Sequence, residues 1–512
     1  TNLISNIAAS YKLKQGLLLK FNGGYNRLDN NDHSATPKTA FNPASNPVST
    51  AQFGNKRIST LIGEPQIEYI KKLSESEFSA LAGATFQKSS QYFLYQRGTG
   101  YNSDALLNSL RAASQVSVLS EGDIEYRYIG LFGRLKLDLK RKYLFTFTLR
   151  RDGSSRYGDE NRFSTFGSLG AGWVFTNERL FKKQKLLSFG KLKGSAGITG
   201  NDQIGDYRYL NLYTTYTSSY LNSTVFYPEQ LYNPVFGWEK VRKLEGSLEL
   251  GFLNNRLLFT LNYYHNTTTN QLVNYPLPGT TGFSAIVKNI PAVIRNTGLE
   301  LEFQAKILQT KRVIWNSSLN ITFPRNKLIS FENLSSSSYA NRYVIGEPLA
   351  IAKRFKWLGV NPTTGNHQFE DFNRDGLIST SGDLQHIVFT GQRYFGGMQH
   401  TISTGRWEFS ILCQFASVPN AANYLTAFLR PALLMNQPVA VLNRWQKPGD
   451  ITDVQRFANT TGGSNIAFTN YRQSDAAYSN ASFLRLKNAV ISFNVFRPNK
   501  QPKVLQELNV FL

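Results

Sequence analysis

The stretch Tyr143–Trp173, YLFTFTLRRDGSSRYGDENRFSTFGSLGAGW, decides how the chain is read. Its opening residues alternate, with Tyr143, Phe145, Phe147 and Leu149 on one face of an extended segment and Thr146, Thr148 and Arg150 on the other. A period of two residues belongs to a β-strand with one oily and one wet face. The pattern recurs along the chain. Leu299, Leu301, Phe303 and Ala305 oppose Glu300, Glu302, Gln304 and Lys306. Trp315, Ser317, Leu319, Ile321 and Phe323 oppose Asn316, Ser318, Asn320 and Thr322, and Trp407, Phe409, Ile411, Cys413 and Phe415 oppose Glu408, Ser410 and Gln414. A face carrying four polar residues in succession does not suit a protein core. Helical periodicity of comparable strength is nearly absent, and the alternating segments predict about sixteen strands, the last near Leu508–Leu512.

The joins between these segments alternate between short and long. Tight joins fall at Leu73 to Ser76, Leu139 to Arg141, Asn254-Asn255 and Gly405-Arg406, where Asn-Asn tolerates the positive φ of a two-residue hairpin. Polar Gly/Ser/Asn-rich stretches lie between them, roughly at 26–63, 88–124, 200–243, 266–295, 324–394 and 418–480. A compact soluble domain rarely carries so many long loops. A transmembrane antiparallel β-barrel does, with short periplasmic turns at one rim and long extracellular loops at the other. Lipid explains both features: backbone groups inside hydrocarbon must pair strand to strand, and outward side chains must be apolar. The alternative is a large soluble sandwich, propeller or hairpin array, and no fixed repeat supports a propeller or solenoid.

Composition agrees with the membrane wall. Among 512 residues, charged groups make up only 18% while aromatics reach 13%, as interfacial girdles of Phe and Tyr require. No window is long and apolar enough for a membrane-spanning helix. The single Cys413 excludes an intrachain disulfide framework and a cysteine-based metal centre. The net charge of +23 raises the question of nucleic acid. Its lysines and arginines, such as Lys140-Arg141-Lys142 and Lys182-Lys183, are scattered over strand ends and turns without a recognition helix, so no nucleic-acid partner is expected. A basic lumen would instead favour anionic glycans. The chain starts at Thr1 and stops in mid-strand at Asn509-Val510-Phe511-Leu512, which predicts a fragment of a longer protein.

Tyr143–Trp173 closely resembles a hallmark stretch of the SusC/RagA family of TonB-linked outer-membrane transporters. Further similarities follow in the family's order: KLKGSAGITGNDQIGDY (Lys191–Tyr207), NPVFGWEK (Asn233–Lys240), LEGSLELGFLNNRLLFTLNYYHNTTTNQL (Leu244–Leu272), PLPGTTGFS (Pro276–Ser284), NTGLELE (Asn296–Glu302), RWQKPGD (Arg444–Asp450) and SDAAYSNASFLRLKNAVIS (Ser474–Ser492). These eight collinear stretches cover about 143–492; before 143 only the strand pattern agrees. The resemblance implies a barrel of about twenty-two strands with a plugged lumen, of which residues 1–512 supply about sixteen and neither the plug nor the TonB-gripped motif. It further implies location in the outer membrane, contact with lipid and lipopolysaccharide, and TonB-powered import of a bulky oligosaccharide or peptide. A SusD-like lipoprotein would cap the mouth. No enzyme activity is expected.

Few residues stand out as sites. DFNRDGLISTSGD places Asp371, Asn373 and Asp375 at calcium-loop spacing with Gly376 at the turn, but Gly382 occupies the twelfth position and Asp383 follows one residue late. Calcium (Ca2+) and a plain Asx-turn loop are both open here. His33, His265, His367, His386 and His400 lack ligand spacing and read as solvated loop or lumen residues. RRDGSSRYG (Arg150–Gly158) reads as a structural turn, with pairing to lipopolysaccharide phosphates or to a plug as the alternative. Tyr92, Tyr95, Tyr101, Tyr232, Trp238 and Tyr275 offer ring faces for sugars, although interfacial anchoring explains many of them equally well. No nucleophile elbow, phosphate loop or dinucleotide fingerprint is present. Two rivals to import stand: an adhesive or structural barrel without transport, and a soluble secreted glycan enzyme.

Overall fold

The computed structural model describes residues 1–181, 184–217, 224–432, 435–458, 462–496 and 508–511. Sixteen strands in chain order form one sheet. They are β1 (Asn2–Lys14), β2 (Leu17–Thr36), β3 (Thr50–Leu73), β4 (Ser76–Thr99), β5 (Gln115–Leu139), β6 (Tyr143–Ser154), β7 (Phe163–Trp173) and β8 (Leu187–Asn201). Then follow β9 (Glu239–Phe252), β10 (Leu257–Thr269), β11 (Ala292–Gln309), β12 (Val313–Phe331), β13 (Tyr394–Thr404), β14 (Trp407–Ser417), β15 (Phe483–Phe496) and β16 (Leu508–Phe511). The chain divides into two compact units, one of residues 1–177, 193–243 and 268–290, the other of 178–192, 244–267 and 291–512.

In the first unit, β5 and β6 pair antiparallel with Leu139 opposite Tyr143, Leu137 opposite Phe145 and Leu135 opposite Phe147. Phe147 in turn faces Leu169 of β7. These rows are apolar and open: Phe145 is 44% exposed and Phe147 45%, while Thr146, Thr148 and Arg150 on the opposite face are half-buried. A water-soluble protein buries such rows, because each ring removed from water gains about 1.5–3 kcal/mol. Outward-turned rows of this length fit hydrocarbon as the surrounding medium. The second unit repeats the arrangement on β14, where Trp407, Phe409 and Ile411 are exposed. No helix among the described residues is long and apolar enough to cross a membrane.

The short turns use positive φ. Lys140 and Arg141 both sit at φ 54°, a cost that glycine or asparagine would avoid. At Asn254-Asn255 the expected two-residue hairpin is longer: Leu253, Asn254 and Asn255 all have positive φ, and Ser188 Oγ accepts the Asn254 N–H at 2.6 Å.

The expected loops 26–63 and 88–124 are mostly strand. β2 and β3 pair from Leu17–Tyr69 out to Thr36–Thr50, and β4 and β5 pair to Thr99–Gln115. The outer portions of β2 and β3 carry polar residues on both faces, as at Asp29–Asn31 and Asn55–Arg57, so the alternation that marks a lipid-facing strand fades there while the backbone ladder continues.

The longest loops are folded. In the second unit, segments 332–393 and 418–482 contain paired strands Ile351–Arg354 with His386–Phe389, Trp357–Val360 with His367–Phe369, and helix α1 (Gly463–Arg472). Phe355, Phe369, Phe468 and Tyr471 form their buried core, with Phe355 at 0% exposure. Phe355 also bridges to Ser474, its N–H donating to the Gln473 carbonyl and its carbonyl accepting from Asp475 N.

Candidate functional site

At the long-loop end of β6 the inner face turns from threonine to charge. The Arg150 guanidinium pairs with Asp152, donates to Tyr128 Oη at 2.7 Å and lies 5.2 Å over the Phe132 ring. Past Ser154 the chain turns, and its next side chains reach the β8–β9 loop. Asp202 Oδ2 accepts from both Ser154 Oγ and Tyr126 Oη at 2.8 Å. Arg156 pairs with Asp206 at 2.9 Å, donates to the Asp202 carbonyl at 3.0 Å and rests 4.3 Å over the Tyr126 ring. Tyr157 Oη donates to the Asn201 carbonyl at 3.0 Å, and burial pushes that hydroxyl's pKa up. RRDGSSRYG is therefore a clamp between loops. Arg150 and Arg156 have partners inside the protein, whereas Arg151 is exposed, its guanidinium 5.7 Å from the Phe163 ring. The sequence showed Arg156 but not its partners, because Asp202 and Asp206 lie 46 and 50 residues further on.

Trp238 joins Tyr157, Phe166 and Phe236 in a buried cluster, 4.9 Å from the Tyr157 ring and 5.5 Å from Phe166. Tyr101 is buried with Ala51 and Leu107, and burial raises its hydroxyl pKa. Neither ring is open to a sugar, which corrects the expectation for these two. Their loops fold back onto the sheet and give each ring a core to enter. Tyr92 is exposed with its hydroxyl 3.4 Å from Glu121, Tyr95 is half-buried, and the Lys288 ammonium lies 3.7 Å over Tyr275. Tyr232 is 59% exposed.

In the second unit the acidic stretch forms a loop held by its own hydrogen bonds. Asp371 Oδ2 accepts from Gly376 N at 2.8 Å, Asp375 Oδ1 from Leu377 N at 2.8 Å, and Asn373 Nδ2 donates to Asp375 Oδ2 at 2.7 Å. Gly376 takes φ +81°, the left-handed turn its spacing predicts. Asp383 is fully buried, and its two oxygens accept from Phe372 N and Ser379 N, each at 2.8 Å. Asp371 Oδ1 is buried without a hydrogen-bond partner. Among the described residues, no three carboxylate, imidazole or thiol groups converge as metal ligands.

His367 departs from the solvated reading. It is 5% exposed, stacked on Tyr471 at 4.1 Å and 5°, and its Nδ1 accepts from Trp357 Nε1 at 3.2 Å. Desolvation lowers its pKa from 6.5 to about 3 and keeps the ring neutral. The other histidines are half-buried or exposed: His33 Nε2 lies 3.0 Å from the Leu107 carbonyl, His386 Nε2 lies 3.6 Å from Asp475, and His400 Nδ1 accepts from Trp315 at 3.4 Å. His265 is half-buried.

Outward apolar rows, short turns at one end of the strands and folded loops at the other define a transmembrane β-barrel wall. The chain belongs to the family described as TonB dependent receptor-like, beta-barrel, which residues 2–409 match. It is 26% identical over 471 residues to TonB-dependent receptor P26 of Formosa agariphila, covering 84% of this chain and 46% of that protein. It is 32% identical over 285 residues to TonB-dependent receptor SusC of Bacteroides thetaiotaomicron, covering 53% of this chain and 27% of that one. The RagAB peptide transporter structure superposes with a TM-score of 0.85 at 23% identity, over 100% of this chain and 57% of that one, a likeness of fold. The chain is thus an outer-membrane β-barrel of the TonB-dependent receptor family and spans about half the length of P26. It sits among receptors and transporters, not enzymes.

Proposed function

We propose that the full-length protein imports a bulky nutrient, an oligosaccharide or a peptide, across the outer membrane with energy supplied through TonB. A SusD-like lipoprotein caps the long-loop mouth, and the plug and TonB-gripped segment belong to parts of the protein outside residues 1–512. The observation that carries this reading is the folded state of the longest loops. Segments 332–393 and 418–482 bury a core around Phe355 and Tyr471, so the rim presents a preorganised surface rather than loose chain. The relative named as a peptide transporter keeps peptide among the cargoes. The test is binding of the full-length protein and its neighbouring lipoprotein to glycan and peptide arrays, repeated after replacing 332–393 with a short turn. Binding of one ligand class, lost in the variant, supports import and names the cargo. An outer-membrane protein that binds neither class is the adhesive or structural barrel instead.

Calcium in the 371–383 loop belongs to the same proposal. Asp371, Asn373 and Asp375 supply hard oxygen ligands, and the unpartnered Asp371 Oδ1 supports a cation there; Asp383 has both oxygens engaged with backbone N–H groups and braces the loop. Calcium should raise the thermal midpoint of the intact barrel, and chelation should reverse the rise. An Asp375→Ala variant with unchanged calcium uptake removes the idea.

A further inference from the structure

On strands β2 to β6 of the first unit, the outward face changes character in the same way on each strand. Every second residue is uncharged from Leu17 to Tyr25, from Tyr69 to Ser59, from Phe78 to Phe86, from Leu139 to Ile129 and from Tyr143 to Leu149. The next outward residue toward the long loops is then Arg27, Arg57, Lys88, Arg127 and Arg151, strand by strand. Register places them on one face: Tyr25 opposes Leu61, Leu61 opposes Lys88, Lys88 opposes Arg127, and Arg151 opposes Leu131. Neighbouring carboxylates do not cancel this charge. Asp29 pairs with both Arg27 and Arg57 at 2.8 Å, and Glu125 pairs with both Lys88 and Arg127 at 2.5 Å. Arg151 is exposed, makes no ion pair among the described residues and rests its guanidinium near the Phe163 ring. Further out on β5, acid returns at Asp123 and Glu121, so the positive charge is confined to a band. A cation on a lipid-facing strand costs least where hydrocarbon gives way to headgroups, which puts the band at the outer-leaflet surface.

Between the band and the short turns, the same face carries a largely apolar groove of about 920 Å³. Its floor is built from small side chains: Ala80 lies between Tyr69 and Leu135 in its cross-strand row, and Ala82 and Gly133 lie between Ile67 and Leu149 in the next. Arg151 lines this groove as well, one outward position beyond Leu149. We propose that the groove and the band together hold one phosphorylated, multiply acylated lipid of the outer leaflet, the lipid A class, with a phosphate on Arg151 and an acyl chain in the groove. The site lies on the outside of the wall and goes beyond the import reading. A guanidinium free of carboxylate partners matches a phosphate in charge and in hydrogen-bonding geometry. A zwitterionic phospholipid brings its own ammonium group, which the neighbouring cations repel. A second copy of the chain docked about a two-fold axis along the membrane normal would set this band against itself, cation facing cation.

The test is native mass spectrometry of the detergent-purified full-length receptor, stripped of lipid and titrated with hexa-acyl lipid A, with the same lipid lacking its phosphates, and with phosphatidylethanolamine. Lipid A should be retained at concentrations where the other two are not. Arg151→Gln should weaken retention about fivefold, the share of one arginine beside an anionic lipid surface. Ala82→Leu raises the groove floor and should weaken it at least as much, while Lys71→Gln, at the short-turn end of the same face, should leave it unchanged. Both site variants should keep the wall's heat-modifiable gel mobility, because their side chains point outward. Retention that Arg151→Gln and Ala82→Leu leave unchanged overturns the site. Equal retention of the phosphate-free lipid or of phosphatidylethanolamine overturns the ligand class. A two-copy species that excludes lipid A and that Ala82→Leu dissolves overturns the proposal in favour of self-association.

Discussion

The rings of β6 and the rings of the long-loop core are the same kinds of side chain put to opposite uses. Phe145 and Phe147 stand 44% and 45% exposed on the wall, whereas Phe355 is at 0% and Phe468 at 5% inside the loops. The difference lies in the medium each segment meets. Wall strands meet hydrocarbon on one side, so an outward ring loses nothing and a polar group there would go unsatisfied. The loops meet water, so their rings must find one another. One chain therefore follows two burial rules, and exposure alone reports which rule holds at a given residue.

Substitutions sharpen this contrast. Phe355→Ala should have the largest effect, about 3–5 kcal/mol on the local stability of the loop core, read as lost hydrogen-exchange protection at Trp357 and Asp475. The wall should keep its heat-modifiable gel mobility. If the mobility changes as well, the loops and the wall do not unfold independently. Phe147→Arg in the middle of β6 should cost about 2–4 kcal/mol in lipid vesicles, measured by urea titration, while Phe147→Leu should be almost neutral. Equal tolerance of arginine and leucine at this position would break the assignment of an outward lipid face.

The smallest effect is that of pH between 7 and 5. An unfolded imidazole titrates near 6.5, and burial holds folded His367 at about 3. Between these values the unfolded loop takes up a proton that the folded loop refuses. The stabilisation is complete above pH 6.5 and falls as pH drops toward 3, by at most about 1.4 kcal/mol per pH unit. His367→Gln should flatten that dependence in exchange measurements between pH 7 and pH 5.

Much of the wall was legible residue by residue. The alternation at Tyr143–Arg150 and Trp407–Phe415 carries the orientation of both faces in local chemistry, and the expected strand number agrees with the sixteen strands of the sheet. The outer ends of β2 to β5 were not legible, because a ladder with polar residues on both faces resembles a loop in composition. The site was legible only in fragments. Arg150 and Arg156 stood out, but their role depends on Tyr128, Asp202 and Asp206, which folding alone brings near.

By itself the sequence determined the oily face of segments such as Tyr143–Arg150 and Trp407–Phe415 and where the short turns fall, since these follow from a two-residue period and need only neighbours a few positions away. Tertiary structure alone decided that Trp238, Tyr101 and His367 are buried and that Tyr232 stands open. Those outcomes depend on which distant loop covers which ring. A polar loop sequence of this kind carries no periodic signal for such long-range packing.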